Sequence, residues 1–352
     1  MAADKNNILT DSFGRTIDYL RVSVTDRCNM RCYYCMPAEG IKLYDRPEIL
    51  SLEEIVDAVN IFTECGVKKI RVTGGEPLLR KNIIYLLKKL KNIPEIESVS
   101  LTTNGLLLGK YLKDLKDTGM ERLNISIDCL DDKKFKEITA GADLKTVLEN
   151  LHRAINEGFK EIKINTVLTD CLDTGDIEDF IKLAVDYPVS VRFIERMEID
   201  NLNLVYSSLK TCKPVSGKQK KNKPVSVVEI KKIMRNFGRY YSVSEKKGFG
   251  PATYFKSDLW KGYVGFIIDD KNVCSFCNRV RLTSTGKVRL CLFSDVEFNL
   301  RDRLRQGLNQ EIIVEELKNF IKGKPLNREL LSGNGLEKTC KKLSDSMNKI
   351  GG

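Results

Sequence analysis

Short stretches with alternating polar and apolar side chains recur along the first part of the chain, and each is followed by an amphipathic stretch of helical period. The capping-box sequence from Ser51 to Glu54 predicts the start of the first helix, and further helices are expected near 81–90, up to about 116, and near 144–157 and 176–185. Six strand–helix units in succession predict a parallel sheet, either open or curled into a partial barrel. The predicted strands are Tyr19–Thr25, Lys69–Thr73, Ser98–Thr103, Leu123–Asp128, Ile162–Leu168 and Val191–Met197.

The predicted strands have one apolar face and one polar or basic face. On the first strand, for example, Leu20 and Val22 alternate with Arg21 and Ser23. A parallel strand that is buried on both sides has a continuous apolar sequence, and a typical eight-stranded barrel fills its interior with branched apolar side chains. The alternation therefore predicts a partial barrel with a wet, basic lumen that holds a large anionic ligand. An open sheet with one exposed face is the alternative.

Composition narrows the class of protein. The chain has 352 residues and a net charge of +11, which favours an anionic partner such as nucleic acid, a phosphorylated small molecule or a membrane surface. No apolar run approaches the roughly 20 residues that cross a bilayer, and the first ten residues lack a signal-peptide core. We therefore expect a cytoplasmic protein with no membrane association. The single histidine, His152, excludes mechanisms that need several histidines.

Three of the eleven cysteines stand close together, directly after the first predicted strand. Cys28, Cys32 and Cys35 have the spacing Cys-x3-Cys-x2-Cys. Three thiolates on one short loop can bind three irons of a 4Fe-4S cluster and leave the fourth iron open. A closed structural zinc site needs four ligands, and no fourth ligand is evident nearby. The spacing therefore favours an iron–sulfur cluster.

This cysteine loop resembles that of the radical S-adenosylmethionine superfamily. There, the open iron binds the amino and carboxylate groups of S-adenosylmethionine, and one-electron reduction yields a 5′-deoxyadenosyl radical. The resemblance implies that Tyr34 lies beside the adenine and that Glu76 accepts a hydrogen bond from the ammonium group. Without the family, Gly74-Gly75 would be an ordinary tight turn and Met197 a core residue. The implied contacts with S-adenosylmethionine are Tyr34, Gly74, Gly75, Glu76, Ser126 and Met197.

A second set of cysteines lies near the C-terminus. Cys274, Cys277 and Cys291 have the spacing Cys-x2-Cys-x13-Cys. Taken alone, this spacing predicts a zinc knuckle, although a fourth ligand is again missing. In a chain that already has the first cysteine loop, a second 4Fe-4S cluster with an open iron becomes the favoured interpretation.

The Cys-Asn-Arg-x-Arg-Leu-Thr run that begins at Cys277, together with Gly250-Pro251-Ala252 and the terminal Gly351-Gly352, resembles the GTP 3′,8-cyclase family, which carries out the first step of molybdenum cofactor biosynthesis. The resemblance runs from about Phe13 to the end and is weak at 201–225 and 325–346. It implies an α/β fold with an incomplete (βα)6-type TIM barrel at 1–237. A C-terminal extension at 238–352 would carry the second cluster, and the double glycine would reach the active site.

The reaction implied by this resemblance converts GTP to 3′,8-cyclo-7,8-dihydro-GTP. The radical takes a hydrogen from the ribose C3′, and the carbon radical then adds to C8 of guanine. Arg279 and Arg281 are implied to take part in catalysis, beside the cysteines that bind the first cluster. The implied GTP contacts are Arg21, Lys69, Arg71, Thr102, Lys163, Arg192, Arg279 and Arg281.

Most of these GTP-contact residues fall on the polar face of the predicted strands. Seven of the eight are cations, which suits a triphosphate because arginine forms charge-assisted, bidentate hydrogen bonds with phosphate oxygens. A single arginine in the lumen could instead form an internal ion pair, for which Asp128 and Glu195 are available partners.

The family resemblance also implies partners: GTP, a reductant of the flavodoxin or ferredoxin type, and the downstream cyclic pyranopterin monophosphate synthase. No nucleic acid is required, and a homodimer is left open. The chain departs from the family at 138–142 and 269–273, and the Lys-rich segment at 208–225 has no assigned role. Two alternatives stay open: another radical enzyme with an auxiliary cluster, such as a peptide-modifying maturase, and a zinc-stabilised RNA-binding protein.

Overall fold

The structure is a computed structural model that describes residues 7–36, 40–196, 223–244, 250–268 and 274–327. Met197, residues 208–222 of the Lys-rich segment, the departure at 269–273 and the terminal double glycine lie outside the described residues. The strands are Tyr19–Ser23 (β1), Lys69–Thr73 (β2), Ser98–Thr103 (β3), Arg122–Ser126 (β4), Glu161–Leu168 (β5), Val189–Glu195 (β6), Tyr241–Val243 (β7), Thr253–Lys256 (β8), Tyr263–Ile267 (β9), Arg279–Leu282 (β10), Lys287–Arg289 (β11) and Glu297–Asn299 (β12).

Helices follow the strands of the N-terminal part and form its outer layer. The first begins where the capping box predicts: Ser51 Oγ accepts from the backbone N–H of Glu54, and the Glu54 carboxylate accepts from the Ser51 N–H at 2.7 Å. The helices are Leu52–Glu64 (α1), Ile83–Lys91 (α2), Leu108–Asp117 (α3), Asp132–Thr139 (α4), Leu144–Asn156 (α5), Thr174–Asp186 (α6), Val227–Met234 (α7), Leu300–Arg305 (α8) and Gln310–Lys322 (α9). Among the described residues, no helix is long and apolar enough to span a membrane.

The strands form one sheet in the order β12-β11-β10-β1-β2-β3-β4-β5-β6-β9-β8-β7. The six predicted strands, β1 to β6, are parallel neighbours in chain order, which confirms the parallel core. The C-terminal part of the chain extends both sides of this core: β10 pairs in parallel with β1, and β9 pairs in parallel with β6. One sheet thus runs through both predicted domains, and a boundary at residue 237 stays a prediction.

The sheet is strongly curled, although it does not close into a barrel. In a flat sheet β1 and β6 would be about 24 Å apart, because neighbouring strands are spaced by about 4.8 Å. Instead, Tyr19 on β1 lies close enough to Arg192 on β6 to act on its charge. Arg192 also donates from Nη2 to Asn124 Oδ1 at 2.7 Å, across the intervening strand β5. The curl turns the polar face inward, as an incomplete barrel requires.

The two faces of the sheet are buried in different surroundings. Leu20, Val22 and Ile70 on the outer face pack in the hydrophobic core between sheet and helices, and full burial of each such side chain contributes about 1.5–3 kcal/mol. On the inner face, Lys163 and Arg192 are buried as well, with exposed fractions of 5% and 3%. The alternative of an open sheet with one exposed face is therefore wrong, because its polar residues line an interior lumen.

Candidate functional site

The first cysteine loop begins at the C-terminal end of β1, where active sites of barrels with parallel strands are found. Cys28, Cys32 and Cys35 are all partly buried. The loop is held in a tight turn, because the backbone N–H groups of Cys35 and Met36 donate to the Cys32 carbonyl at 2.8 and 3.0 Å. The Met30 N–H points at Cys28 Sγ, 3.4 Å away. Three thiols thus share one short, backbone-braced loop, as ligation of three irons requires.

The glycine pair after β2 packs against this cysteine loop. A Cβ atom on Gly74 would lie 2.5 Å from the Thr25 carbonyl oxygen, and one on Gly75 would lie 2.2 Å from the Arg27 carbonyl oxygen. Both distances are far too short for any side chain. The backbone N–H of Gly75 donates to the Thr25 carbonyl at 2.8 Å. The described contacts of the two glycines therefore hold the cysteine loop, and their predicted contact with S-adenosylmethionine stays a prediction.

Glu76 braces the ends of β2 and β3. Its carboxylate accepts from the Leu78 N–H at 3.0 Å, the Thr103 hydroxyl at 2.8 Å and the Asn104 N–H at 2.7 Å. Burial raises the pKa of Glu76 to about 7, although these three donors act in the opposite direction. Three of about four acceptor positions of a carboxylate are thus already used. The bond from Glu76 to the ammonium group of S-adenosylmethionine stays a prediction.

Tyr34 and Ser126 lie at the same end of the sheet. The Tyr34 hydroxyl donates to Asp128 Oδ2 at 2.5 Å, and the Val167 N–H donates to the other Asp128 oxygen at 2.9 Å. Burial raises the pKa of Asp128 to about 6 against these two bonds. Asp128 thus anchors Tyr34 beside the cysteine loop. Ser126 ends β4 and is half-buried.

Arginines stand directly opposite one another on four neighbouring strands. The register pairs Arg289 with Arg281, Arg281 with Arg21, and Arg21 with Arg71. Burial lowers the pKa of Arg21 well below its usual range, and the neighbouring arginines at 281 and 71 lower it further. Arg289 forms a 2.6 Å ion pair with Glu297, and the four guanidinium groups concentrate positive charge on these neighbouring strands. An interior row of cations is an anion-binding site.

The opposite wall of the lumen contributes more polar groups. Burial lowers the pKa of Lys163 to about 8 despite its ion pair with Glu161, and Arg192 and Arg71 lower it further. Arg192 is bonded to Tyr254 on β8 as well as to Asn124. The charged side chains of β2, β5 and β6 on the inner face therefore influence one another electrostatically.

All eight predicted GTP-contact residues lie on the inner face of the sheet. They differ in whether their charged groups have ion-pair or hydrogen-bond partners. Lys69 forms a 2.5 Å ion pair with Asp18, and Lys163 pairs with Glu161; these are lysine pairs with other partners than the arginine pairs with Asp128 or Glu195 that the sequence left open. The buried Nε atoms of Arg71 and Arg192 have no hydrogen-bond partner among the described residues. Burying a hydrogen-bond donor without an acceptor costs free energy. These two Nε atoms therefore favour a bound ligand that can accept from them.

Sequence reasoning did not assign several interior side chains. Tyr19, Asn124 and Tyr254 are at most 4% exposed, and each contacts or acts on a lumen arginine. The alternation on β1 and β4 places Tyr19 and Asn124 on the inner face, so a signal was present for these two. Tyr254 had no such signal, because it reaches the lumen only through the antiparallel pairing of β8 with β9.

The second cysteine set lies at the start of β10 and just after β11, on the arginine side of the lumen. Cys274, Cys277 and Cys291 are partly buried. Burial acts to raise the pKa of the Cys277 thiol, but Lys324 and Arg279 outweigh it and lower the pKa to about 7. Arg279 donates to this thiol from both its backbone N–H and its side chain. The surroundings of Cys277 therefore favour its thiolate, the form that binds iron.

In the part of the chain that the structure describes, no three His, Cys, Asp or Glu side chains have a geometry that could hold a single metal ion. A cluster makes a different demand, because each cysteine of a 4Fe-4S cluster binds a different iron. The two cysteine sets fit that demand by chemistry: each presents three partly buried thiols.

Two protein families match consecutive parts of the chain. The radical SAM superfamily matches residues 22–184, which include the end of β1, the first cysteine loop, the glycine pair and β2 to β5. The family described as Molybdenum Cofactor Synthesis C matches residues 189–330, which include β6 to β12 and the second cysteine set.

Curated relatives match over almost the whole length. A GTP 3′,8-cyclase of Petrotoga mobilis is 39% identical over 98% of this chain and 100% of its own. One of Alkaliphilus metalliredigens is 41% identical over the same shares. Among solved structures, Streptococcus suis SuiB bound to S-adenosylmethionine is similar in fold, with a TM-score of 0.59, 13% identity, and coverage of 92% of this chain and 72% of that one. At that identity the likeness concerns the fold alone, whereas the full-length relatives establish that this chain belongs to the GTP 3′,8-cyclase family of radical SAM enzymes.

Proposed function

We propose that this protein converts GTP to 3′,8-cyclo-7,8-dihydro-GTP, the first step of molybdenum cofactor biosynthesis. The observation that supports this best is a row of arginines in register on neighbouring strands: Arg71, Arg21 and Arg281. The row lies on the inner face of the curled sheet. A triphosphate is the type of ligand that such a row fits, because each phosphate can accept charge-assisted hydrogen bonds from a guanidinium group.

The first cysteine loop is proposed to hold a 4Fe-4S cluster through Cys28, Cys32 and Cys35. This cluster, together with S-adenosylmethionine, supplies one-electron radical chemistry when bound. Residues around the loop have two tasks. The glycine pair and Glu76 fix the loop against β2 and β3, and Tyr34, fixed by Asp128, is proposed to lie against the adenine. Ser126 and Met197 are proposed as further contacts with S-adenosylmethionine.

The GTP-contact residues are proposed to hold the nucleotide rather than to exchange protons with it. Arginine stays charged at neutral pH, even though Arg281 has its pKa lowered to about 10 by burial and by Arg279. Holding the ribose at one position relative to S-adenosylmethionine contributes as an effective concentration, which in favourable cases is worth about 7–11 kcal/mol. Thr102 and the lysines at 69 and 163 are proposed as the remaining contacts with the nucleotide.

A second 4Fe-4S cluster is proposed at Cys274, Cys277 and Cys291. The supporting observation is the low pKa of the Cys277 thiol beside two cations, which suits a thiolate ligand. These three cysteines would hold the cluster on the segments that carry Arg279 and Arg281, and its open iron is proposed to bind the guanine base. We further propose a flavodoxin- or ferredoxin-type reductant, consumption of the product by cyclic pyranopterin monophosphate synthase, and a cytoplasmic location.

The test is an anaerobic assay of the full-length protein. The purified and reconstituted chain is analysed for iron and sulfide, then incubated with GTP, S-adenosylmethionine and dithionite, and the products are identified by mass spectrometry. We expect about eight irons per chain, 5′-deoxyadenosine, and a cyclised isomer of GTP. Because this isomer has the same mass as GTP, it is distinguished from the substrate by its chromatographic retention and its fragmentation pattern. Lys145→Ala, at an exposed position on α5, is the matched control for charge removal.

Each alternative has its own outcome in this assay. Cleavage of S-adenosylmethionine without any conversion of GTP would favour another radical enzyme, such as a peptide-modifying maturase. A colourless protein that contains zinc instead of iron would favour the zinc-stabilised RNA-binding protein. Either result would contradict the proposed function.

A further inference from the structure

We propose that Lys324 is the built-in counter-charge of the second cysteine set and that Arg15 fixes it in place. The inference rests on the proposed second cluster and extends it. Both residues lie outside the motifs that pointed to GTP and S-adenosylmethionine, and neither lies on the polar face of the central strands.

Lys324 is a buried cation that is tied to both halves of the second cysteine set. Its side chain is almost completely inaccessible, with an exposed fraction of 2%. The ammonium group donates to the Arg279 carbonyl at 2.8 Å and to the Leu290 carbonyl. The first carbonyl lies two residues after Cys277, and the second lies immediately before Cys291. One ammonium group therefore links the two segments that carry these cysteines.

The charge of Lys324 lacks an acidic partner in the described part of the chain. Its hydrogen bonds go to neutral carbonyl oxygens, and no described Asp or Glu forms an ion pair with it. A buried charge needs compensation, and the two segments that the ammonium group joins are those that carry Cys277 and Cys291. Three thiolates outweigh the 2+ charge of an oxidised 4Fe-4S core. A bound cluster would thus supply the anion that the buried ammonium lacks.

Arg15 holds the segment that carries Lys324, and its own charge is already neutralised. Its Nε forms a 2.5 Å ion pair with Asp11. The rest of the guanidinium donates to the Pro325 carbonyl at 2.7 Å, the Leu326 carbonyl at 3.1 Å and the Cys274 carbonyl at 2.6 Å. Arg15 therefore joins the third segment of the cysteine set to the segment after α9, without adding net charge.

The two residues are positioning residues with separable effects. Because Lys324 brings a net positive charge, its loss should make the cluster harder to reduce. Because Arg15 is neutralised by Asp11, its loss should loosen the site and lower the cluster content instead. A merely structural role for Lys324 would lower the iron content without moving the potential of the clusters that remain.

The experiment uses the full-length chain with Cys28→Ser, Cys32→Ser and Cys35→Ser, so that any cluster occupies the second set. Lys324→Met, Lys324→Arg, Arg15→Met and the matched control Lys322→Met, at an exposed position on the last turn of α9, are each introduced into this parent. Iron per chain is measured after anaerobic reconstitution. The reduction potential is measured by titration with dithionite, with the reduced cluster followed by electron paramagnetic resonance. Circular dichroism checks that each variant is folded.

We expect about four irons in the parent. At a fixed potential, Lys324→Met should lower the ratio of reduced to oxidised cluster at least tenfold, or about 59 mV for a one-electron couple, whereas Lys324→Arg and Lys322→Met should stay near the parent. Arg15→Met should lower the iron content with little change in potential.

An unchanged potential in Lys324→Met, with four irons bound, would overturn the proposal that Lys324 is the counter-charge. A parent that binds no iron would remove the proposed second cluster as well, which separates the two failures. If Lys324→Met does not fold, Lys324→Gln, which keeps a hydrogen-bond donor but no charge, replaces it and must show the same shift.

Discussion

The two cysteine sites of this protein have opposite electrostatic surroundings. At the first site, burial raises the pKa of Cys32, and Asp128 raises it further; for Cys28, burial is again the largest cause and Glu76 acts in the same direction. At the second site, Lys324 and Arg279 lower the pKa of Cys277 to about 7. The difference teaches that two sets of three cysteines, one on a short loop and one spread over the strands at the other side of the sheet, have acidic and basic neighbours respectively.

This contrast fits a division of tasks. A negative environment disfavours the added electron and so makes a reduced cluster a stronger reductant, which the cleavage of a sulfonium bond requires. A positive environment instead attracts anions and would leave the proposed second cluster easier to reduce. The predictions below either break this contrast or measure it, beginning with the largest expected effect.

Removing one complete set of cysteines should break the contrast outright. Replacing Cys28, Cys32 and Cys35 with Ala should abolish formation of 5′-deoxyadenosine. Replacing Cys274, Cys277 and Cys291 should leave that cleavage measurable but stop the conversion of GTP. The measurement is mass spectrometry of both products in the same anaerobic reaction. If the second triple variant still cyclises GTP, the two sites do not have different tasks.

Gly75→Ala should damage the first site alone. The new Cβ would lie 2.2 Å from the Arg27 carbonyl oxygen, one residue before Cys28, so the cysteine loop must move. In a chain without the second cysteine set, we expect loss of most of the bound iron. Gly250→Ala is the matched control, because no heavy atom of the described residues lies within 4 Å of its Cβ position. Iron contents that are equal in the two variants would contradict this role of the glycine.

Arg281→Ala should weaken the anion-binding side of the contrast. Loss of one charge-assisted hydrogen bond is expected to reduce the affinity for GTP by about 1.5–3 kcal/mol. Calorimetric titration with GTP provides the measurement, and the exposed Lys145→Ala provides the control. Cleavage of S-adenosylmethionine should persist in Arg281→Ala, because the first cysteine loop is untouched. An affinity equal to that of the parent would remove the arginine row from the proposed GTP site.

The smallest expected effect is a pH dependence that comes from Lys163. Burial lowers its pKa to about 8 in the free protein, and a bound phosphate would raise it. Affinity that depends on the protonated amine is thus fully present below about pH 8 and declines above it, by at most about tenfold per pH unit. Lys163→Arg should bind GTP with a flatter profile between pH 7 and 9. Identical profiles for the two proteins would show that Lys163 does not contact the nucleotide.

The parallel core was predictable because its signals are local. Alternation along a strand has a period of two residues, and a capping box spans four, so β1 to β6 and the start of α1 could be assigned from short windows of sequence. The interior position of Asn124 followed from the same alternation. Strand β7 and strands β10 to β12 were not predicted, because each is at most four residues long and pairs with a partner that is distant or equally short.

By itself, the sequence determined the parallel strands, their polar inner face, the two sets of three cysteines and the family. Only the tertiary structure decided which charges meet. Arg281 stands opposite Arg21 because β10 returns to pair with β1 after 260 residues. The curl of the sheet brings Arg192 within reach of Asn124. Lys324, on a segment after the last described helix, reaches the Arg279 carbonyl two residues after Cys277. Such contacts depend on the path of the whole chain, whereas the local pattern fixes only the face on which a side chain lies.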